Sequence, residues 1–283
     1  MKGLIFQIEE FALFDGDGIR VNVFFKGCSL RCKWCHNPEG LKPKIQIVKN
    51  VNACVGCNLC KQICNNEKCV ACLKCVKNCP RNALRPSGYY VTPNELAAKI
   101  LSYQKFFELS GGGVTFSGGE VLMQPNFLLE TLKLLQTVNI AIETSGYGDS
   151  EAFKKIINYV NVVYFDLKVM DNEKHKLFVG KSNKIILKNA KILFNSNTPC
   201  VVRVPLISNV NTSVENLTLL LNFVKNAKNL QRVEFLCYNK MAGAKYQMLN
   251  LKYNYDFCYP TKNDLKTVEQ IFKNSGVNYA IIK

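Results

Sequence analysis

Eleven of the fourteen cysteines in this 283-residue chain fall between positions 28 and 79, and they fall in spaced runs. Residues 42–88 carry most of them, with lysines and asparagines, few aromatics and almost no periodicity. Such a segment cannot bury a core of its own, so it is expected to be an insert held by metal. The first run lies just before it, as Cys28-x3-Cys32-x2-Cys35 with Trp34 ahead of the last cysteine. Four cysteines would close a metal site. Three thiolates can hold a [4Fe–4S] cube and leave one iron open to a substrate or cofactor atom. A zinc or structural three-cysteine site, completed by a ligand from elsewhere, is the alternative. A disulfide framework would call for export. The opening residues Met1–Glu10 instead read as a short alternating strand, and no apolar run approaches ~18 residues, so no membrane span is expected. Clustered cysteines without an export signal point to the reducing cytoplasm.

Outside the insert the chain reads as strands alternating with helices. Strands are expected near 3–9, 19–25, 113–117, 139–144, 161–167, 200–206, 231–237 and 278–282. Thr92-Pro93-Asn94-Glu95 is a helix start, with an N-cap, a proline in the first turn and a capping-box glutamate. That helix should run to about Leu109. Others are expected near 125–137, 150–159, 184–195, 213–227 and 262–274. Apolar runs such as Val162-Val-Tyr-Phe and Cys200-Val-Val-Arg-Val suit a parallel sheet covered on both faces. The alternation predicts a parallel barrel or open barrel with its site at the C-terminal strand ends.

The formal charge of +16 raises nucleic acid as a partner. Three thiolate-bound clusters would lower it to roughly +11. The lysines are also dispersed, in groups such as Lys42, Lys44 and Lys49, or Lys181, Lys184, Lys188 and Lys191. Solvated helix faces explain most of them, and attraction to an acidic protein partner is the functional reading. With only His36 and His175, histidine-based hydrolytic triads and zinc hydrolase sites have little support.

Two further runs, Cys54-x2-Cys57-x2-Cys60-x3-Cys64 and Cys69-x2-Cys72-x2-Cys75-x3-Cys79-Pro80, resemble bacterial two-cluster ferredoxins, in which the fourth cysteine of each run ligates the other cluster. The resemblance implies one cluster on Cys54, Cys57, Cys60 and Cys79, and another on Cys69, Cys72, Cys75 and Cys64. Asn65 stands where proline is usual, and only four residues separate the runs.

Gly111-Gly-Gly-Val-Thr-Phe-Ser-Gly-Gly119-Glu120 ends in a glycine pair that would let backbone approach a ligand, followed by a carboxylate for an ammonium group. With Cys28, Cys32 and Cys35 it resembles the radical S-adenosylmethionine (SAM) enzymes. The likeness narrows with Asp15-Gly-Asp-Gly-Ile-Arg20, Cys35-His-Asn-Pro-Glu39, Glu143-Thr144-Ser145-Gly146, Phe165-Asp166-Leu167-Lys168 and Val202-Arg203-Val-Pro-Leu-Ile207. These resemble the activating enzymes of glycyl radical enzymes, in the subgroup with a two-cluster insert. The resemblance implies an α/β fold, a partial (β/α)6 TIM-like barrel over residues 1–41 and 89–283 with a ferredoxin-like 2[4Fe–4S] mini-domain at 42–88.

It also implies roles. Cys28, Cys32 and Cys35 would hold the catalytic cluster. Trp34, Gly118, Gly119, Glu120, Ser145, Lys168, Arg203 and Asn239 would surround SAM. Glu143, Thr144 and Asp166 would surround a monovalent cation, Na+ or K+. Asp15 would touch the partner's glycine loop. Leu236-Cys237-Tyr238-Asn239 stands where the family usually has Leu-Pro-Tyr-His, so Asn239 replaces a histidine near the adenine. The implied cofactors are three [4Fe–4S] clusters and SAM. The implied partners are a glycyl radical enzyme and a flavodoxin or ferredoxin-type electron donor, with a monomeric enzyme. The radical generated on SAM would remove hydrogen from a backbone glycine of the partner. Two rivals remain: a radical SAM enzyme acting on a nucleic acid or small molecule, and an electron carrier built on the insert.

Overall fold

The computed structural model describes residues 1–64, 69–253 and 256–283. Asn65 and the linker between the two later cysteine runs lie outside the described residues. In chain order, strand β1 (Gly3–Ala12) and β2 (Arg20–Phe25) are followed by β3 (Ile47–Lys49), α1 (Leu59–Ile63), α2 (Lys74–Lys77), β4 (Leu84–Pro86) and β5 (Tyr89–Val91). Next come α3 (Pro93–Leu101), α4 (Gln104–Ser110), β6 (Gly113–Gly118), α5 (Pro125–Lys133), β7 (Asn139–Thr144), α6 (Ser150–Ile156), β8 (Val162–Asp166), α7 (Asn172–Val179) and α8 (Lys184–Phe194). The chain ends with β9 (Cys200–Leu206), α9 (Val214–Val224), β10 (Leu230–Cys237), α10 (Gly243–Met248), α11 (Lys262–Phe272) and β11 (Tyr279–Ile282).

One nine-stranded sheet runs β11-β10-β9-β8-β7-β6-β2-β1-β5. From β2 to β11 neighbouring strands are parallel, while β1 and β5 extend the edge in antiparallel fashion. Six β/α strands were expected in the parallel unit; β11 adds a seventh. The sheet curls. In a flat sheet β2 and β10 would stand roughly 24 Å apart, at ~4.8 Å per strand. Yet His36, after β2, lies 3.0 Å through Nε2 from the carbonyl of Asn239, after β10.

The two faces of the sheet differ, which corrects the expectation of apolar cover on both. Val21, Val23, Phe25, Val114, Phe116, Ile140, Ile142, Val163, Phe165, Val202, Val204 and Phe235 join one buried apolar core. The opposite side chains are Arg20, Asn22, Thr115, Ser117, Glu143, Asp166, Arg203 and Glu234, with Tyr164. Among the described residues, this concave face carries one small apolar cluster, Ala141, Tyr164 and Val201, and its polar groups pair with one another. Arg20 is held by Thr115 Oγ1 at 2.7 Å and the Val114 carbonyl at 2.7 Å. Arg203 contacts Glu143, bonds Glu234 at 2.8 Å and stacks 4.0 Å over Tyr164.

The helix expected over 92–109 is two helices, α3 and α4. Thr92 and Glu95 form the reciprocal capping box that starts α3. At its end the Ser102 hydroxyl donates back to the Lys99 carbonyl at 2.7 Å, a local bond that competes with helix continuation. Residues 42–88 leave the sheet after β2 and return at β5. They are clasped at the base by antiparallel β3–β4 pairing and by Asn50 N–H donating to the Ala83 carbonyl at 2.7 Å. Among the described residues, no helix is long and apolar enough to cross a membrane.

Candidate active site at the C-terminal strand ends

A cavity of about 420 Å³ opens where β2, β6, β7, β8, β9 and β10 end. Cys28, Cys32, Trp34, Cys35, Gly118, Gly119, Glu143, Thr144, Ser145, Asp166, Lys168 and Asn239 line it. Residues from six separate segments therefore meet in one place. His36, Ser117, Leu236, Cys237 and Tyr238 line it as well and were not assigned a role from the sequence. The polar position of Ser117, alternating with Phe116 in β6, was the available signal.

The cysteine loop is fixed by backbone bonds. Gly27 and Cys28 donate to Gly40 and Leu41 at 2.7 and 3.1 Å. Arg31 and Lys33 donate to the Val179 and Phe178 carbonyls at 2.8 and 3.0 Å. Those carbonyls end α7 and have no partner within the helix, so the loop satisfies them. Trp34 is buried against Phe178 and Phe257. Tyr246 on α10 donates to the Cys35 carbonyl at 3.0 Å. Burial pushes the Cys28 and Cys32 thiols up to about 12, and that of Cys35 up as well. They become good ligands only when metal displaces their protons.

Gly118 and Gly119 serve chain packing. Gly118 has φ +121, and a Cβ on Gly119 would lie 2.4 Å from the Gly27 carbonyl oxygen and 2.5 Å from that of Gly40. Only glycine lets the end of β6 lie against the cysteine loop. Glu120 sits behind the cavity wall, 2% exposed. Its carboxylate accepts from the Ser145 N–H at 2.9 Å and the Leu122 N–H at 3.1 Å, and from the Thr144 and Ser145 hydroxyls. Burial raises its pKa against the pull of those bonds. Glu120 thus fixes the loop after β7, and Thr144 and Ser145 present the wall.

Lys168 faces the cavity and pairs with Asp166 at 2.7 Å. Burial disfavours the ammonium, but Asp166 and the nearby Cys32 thiol hold its pKa above the ordinary lysine value. Arg203 lies deeper, engaged with Glu143 and Glu234, and Glu143 also accepts from Ser117 Oγ at 2.6 Å. The Asn239 side chain accepts from the Met241 N–H at 3.1 Å, so it shapes its own loop at the rim. Asp15 lies at the other end of the concave face, where its carboxylate accepts from Asn22.

In residues 42–88 the two cysteine runs have the same backbone form. Cys57 is preceded by Gly56 (φ 72) and followed by Asn58 (φ 57); Cys72 is preceded by Ala71 (φ 53) and followed by Leu73 (φ 61). Each left-handed residue then opens a short helix, α1 or α2. Cys54, Cys57, Cys60 and Cys79 line one cavity of about 100 Å³, with Lys49, Lys61 and Arg81 around it. Burial raises the Cys75 thiol, and the Cys64 and Cys69 thiols beside it raise it further. The Ala83 N–H donates to Cys79 Sγ at 3.3 Å, the kind of amide–sulfur bond that tunes cluster potentials. Among the described residues no three His, Cys, Asp or Glu side chains are grouped for a single metal ion. Cys54, Cys57, Cys60 and Cys79 instead surround a shared space.

Comparison with known proteins agrees with this arrangement. The profile of the radical SAM superfamily matches residues 22–221. The choline trimethylamine-lyase activating enzyme of Oleidesulfovibrio alaskensis is 37% identical, covering 89% of this chain and 88% of that protein. The 4-hydroxyphenylacetate decarboxylase activating enzyme of Clostridium scatologenes is 36% identical over 98% of this chain and 96% of its own length. A crystal structure of a domain of the pyruvate-formate lyase-activating enzyme from Bacteroides vulgatus superposes with a TM-score of 0.51 at 27% identity, covering 61% of this chain and all of that domain. This chain belongs to the radical SAM superfamily and, within it, to the activating enzymes of glycyl radical enzymes.

Proposed function

We propose that Cys28, Cys32 and Cys35 hold a [4Fe–4S] cluster in the large cavity, that SAM binds beside it, and that the protein substrate is a glycyl radical enzyme. The observation that carries this reading is the single cavity shared by those cysteines, the Gly118–Gly119 strand end, Ser145, Asp166 and Lys168. Once reduced, the bound cluster supplies the electron that splits SAM into methionine and a 5′-deoxyadenosyl radical, which takes a hydrogen atom from the partner's backbone glycine. Lys168 is the fixed cation for the methionine carboxylate, oriented by Asp166. Glu120 holds Thr144 and Ser145 so that backbone groups of this wall meet the methionine end. Trp34, Leu236, Tyr238 and Asn239 form the side available to the adenosine. Arg203 braces Glu143 from below, and a monovalent cation at Glu143, Thr144 and Asp166 would have to share both carboxylates with Arg203 and Lys168. Asp15 meets the partner's glycine loop from the far end of the concave face.

The insert is read as ferredoxin-like, with two further [4Fe–4S] clusters on the ligand sets that the ferredoxin resemblance implies. Its cavity among Cys54, Cys57, Cys60 and Cys79, and the proximity of Cys64, Cys69 and Cys75, support this. The electron donor is read as a flavodoxin or ferredoxin-type protein and the working enzyme as a cytoplasmic monomer. The relatives' names point to several different radical enzymes, so the partner's own substrate stays open across choline, 4-hydroxyphenylacetate and related compounds. The test is the triple variant with Cys28, Cys32 and Cys35 replaced by Ala. It should keep about eight of roughly twelve irons and lose SAM cleavage. Retained cleavage would reject the assignment.

A further inference from the structure

The end of β1 and the turn to β2 carry an apolar surface that no described residue covers. Phe14 is 90% exposed, Leu13 62% and Phe11 50%. On α4, whose end leads into β6, Leu109 is 87% exposed and Phe106 45%. The two segments are joined. Phe11 meets Phe106 edge-on at 5.3 Å and Tyr103 at 5.8 Å, and the Ser110 hydroxyl accepts from the Ile19 N–H at 3.0 Å. Phe11 takes φ 60 at an irregularity in the β1–β2 register, a conformation that bulky residues avoid. The backbone thus departs from regular pairing where the aromatic side chains face solvent. Soluble proteins seldom expose contiguous large apolar groups without a partner.

Its location is informative. The turn precedes the start of β2, and α4 precedes the start of β6, so both lie at the N-terminal edge of the parallel strands. The cysteine loop follows the other end of β2, roughly 20 Å away along six residues at ~3.3 Å each. Asp15 belongs to this same turn. Beside it Asn22, 1% exposed, donates to the Asp15 carboxylate but leaves its own side-chain oxygen without a partner. A buried acceptor left unpaired beside this turn is what an incoming backbone N–H would satisfy. Charge is local too. Residues 3–19 hold four carboxylates and no lysine or arginine in a chain of net charge +16; Lys99 pairs with Glu10, and the buried Arg20 lies near Asp15 and Asp17.

We propose that Phe11, Leu13, Phe14, Phe106 and Leu109 form the surface on which the folded body of the glycyl radical enzyme docks, through an apolar patch with a basic rim. The inference rests on the reading of function above and goes beyond its glycine loop. The acidic edge selects a basic rim, and continuity with the Asp15 turn selects the protein substrate over a second copy of this chain. Docking here holds the partner while its loop meets the Asp15 turn beside Asn22.

The test uses reconstituted holoenzyme with Phe14→Ser, Leu109→Ser and the double variant. All three change exposed side chains, so cluster content and uncoupled SAM cleavage should match wild type. The substrates are four purified partners: choline trimethylamine-lyase, 4-hydroxyphenylacetate decarboxylase, trans-4-hydroxy-L-proline dehydratase and pyruvate formate-lyase. Spin yield with wild type selects the one used. With that partner the double variant should raise the apparent KM about tenfold or more, as expected for losing two buried apolar anchors. A short peptide spanning the partner's glycine loop should be activated equally by wild type and variant. Unchanged KM with the whole partner, equal loss on peptide and partner, or a wild-type dimer in light scattering that Phe14→Ser dissolves would each overturn the docking surface. Absence of SAM cleavage by the reduced holoenzyme would overturn the functional reading and this surface with it.

Discussion

Glu120 shows how a residue's motif and its place in the structure can point to different work. Its position after a glycine pair marked it as a ligand for SAM's amino group. In the fold its two carboxylate oxygens accept from Thr144, Ser145 and Leu122, and it lies behind the cavity wall. Glu120→Gln would turn an amide N–H₂ toward donors that have no acceptor left. We expect a loss of about 1–3 kcal/mol in unfolding free energy even without SAM, the cost of unsatisfied buried donors. SAM affinity should fall as well, because the Thr144–Ser145 wall loosens. Anaerobic denaturant titration with and without SAM separates the two effects. Unchanged stability in the absence of SAM would return Glu120 to the role of a direct ligand. The same contrast applies to Gly118 and Gly119, whose glycine requirement was legible while its cause, close packing on the cysteine loop, was not.

At the scale of elements, most strands and the larger helices were legible because their patterns are strong. Thr92–Glu95 announced α3, and β-branched runs announced β8 and β9. Helix α7 was missed because Asn172-Glu-Lys-His-Lys offers no apolar periodicity, although Asp171 caps it by accepting from the Lys174 N–H at 2.7 Å. That helix matters, since its terminal carbonyls hold the cysteine loop. The three-residue strands β3, β4 and β5 are too short to carry a signal. The alternation of the concave face was on view in Arg20-Val-Asn-Val, while Val162-Val-Tyr-Phe and Cys200-Val-Val-Arg-Val were read as continuous apolar runs. The repeated left-handed residues in the insert had no signal beyond Gly56 and Asn58, because alanine and leucine seldom adopt that conformation. This yields a direct expectation. Ala71→Gly and Leu73→Gly should keep full iron content and raise thermal stability, relieving up to about 1 kcal/mol of backbone strain each. Leu73→Val, β-branched at φ 61, should lose iron from the insert. Iron and sulfide per chain, with a melting curve, measure both. Iron loss in Leu73→Gly would mean that the side chain's packing, not the backbone shape, holds the cluster loop.

The whole molecule divides its charge as it divides its structure. Residues 42–88 hold nine Lys or Arg against one Glu, whereas residues 3–19 hold only acids. A basic, cysteine-lined insert and an acidic, apolar turn are therefore two dissimilar surfaces. The large cavity lies at the C-terminal strand ends. The insert's independence can be tested because its ends already meet. With β3 paired to β4 and Asn50 bonded to Ala83, residues 51–82 leave and re-enter the fold through one clasp. Replacing them by a short Gly-Asn turn asks the remaining chain to close only a tight hairpin, a small entropic cost beside the contacts of the parallel core. The shortened enzyme should fold, bind about four irons instead of about twelve, and still cleave SAM with a strong chemical reductant. With an acidic protein donor its cleavage should slow, because the basic surface has gone. Iron analysis, deoxyadenosine release with each reductant and the salt dependence of the protein-driven rate report the three claims. Equal rates of full-length and shortened enzyme with the protein donor, at low salt, would place electron entry on the core and leave the insert a structural role.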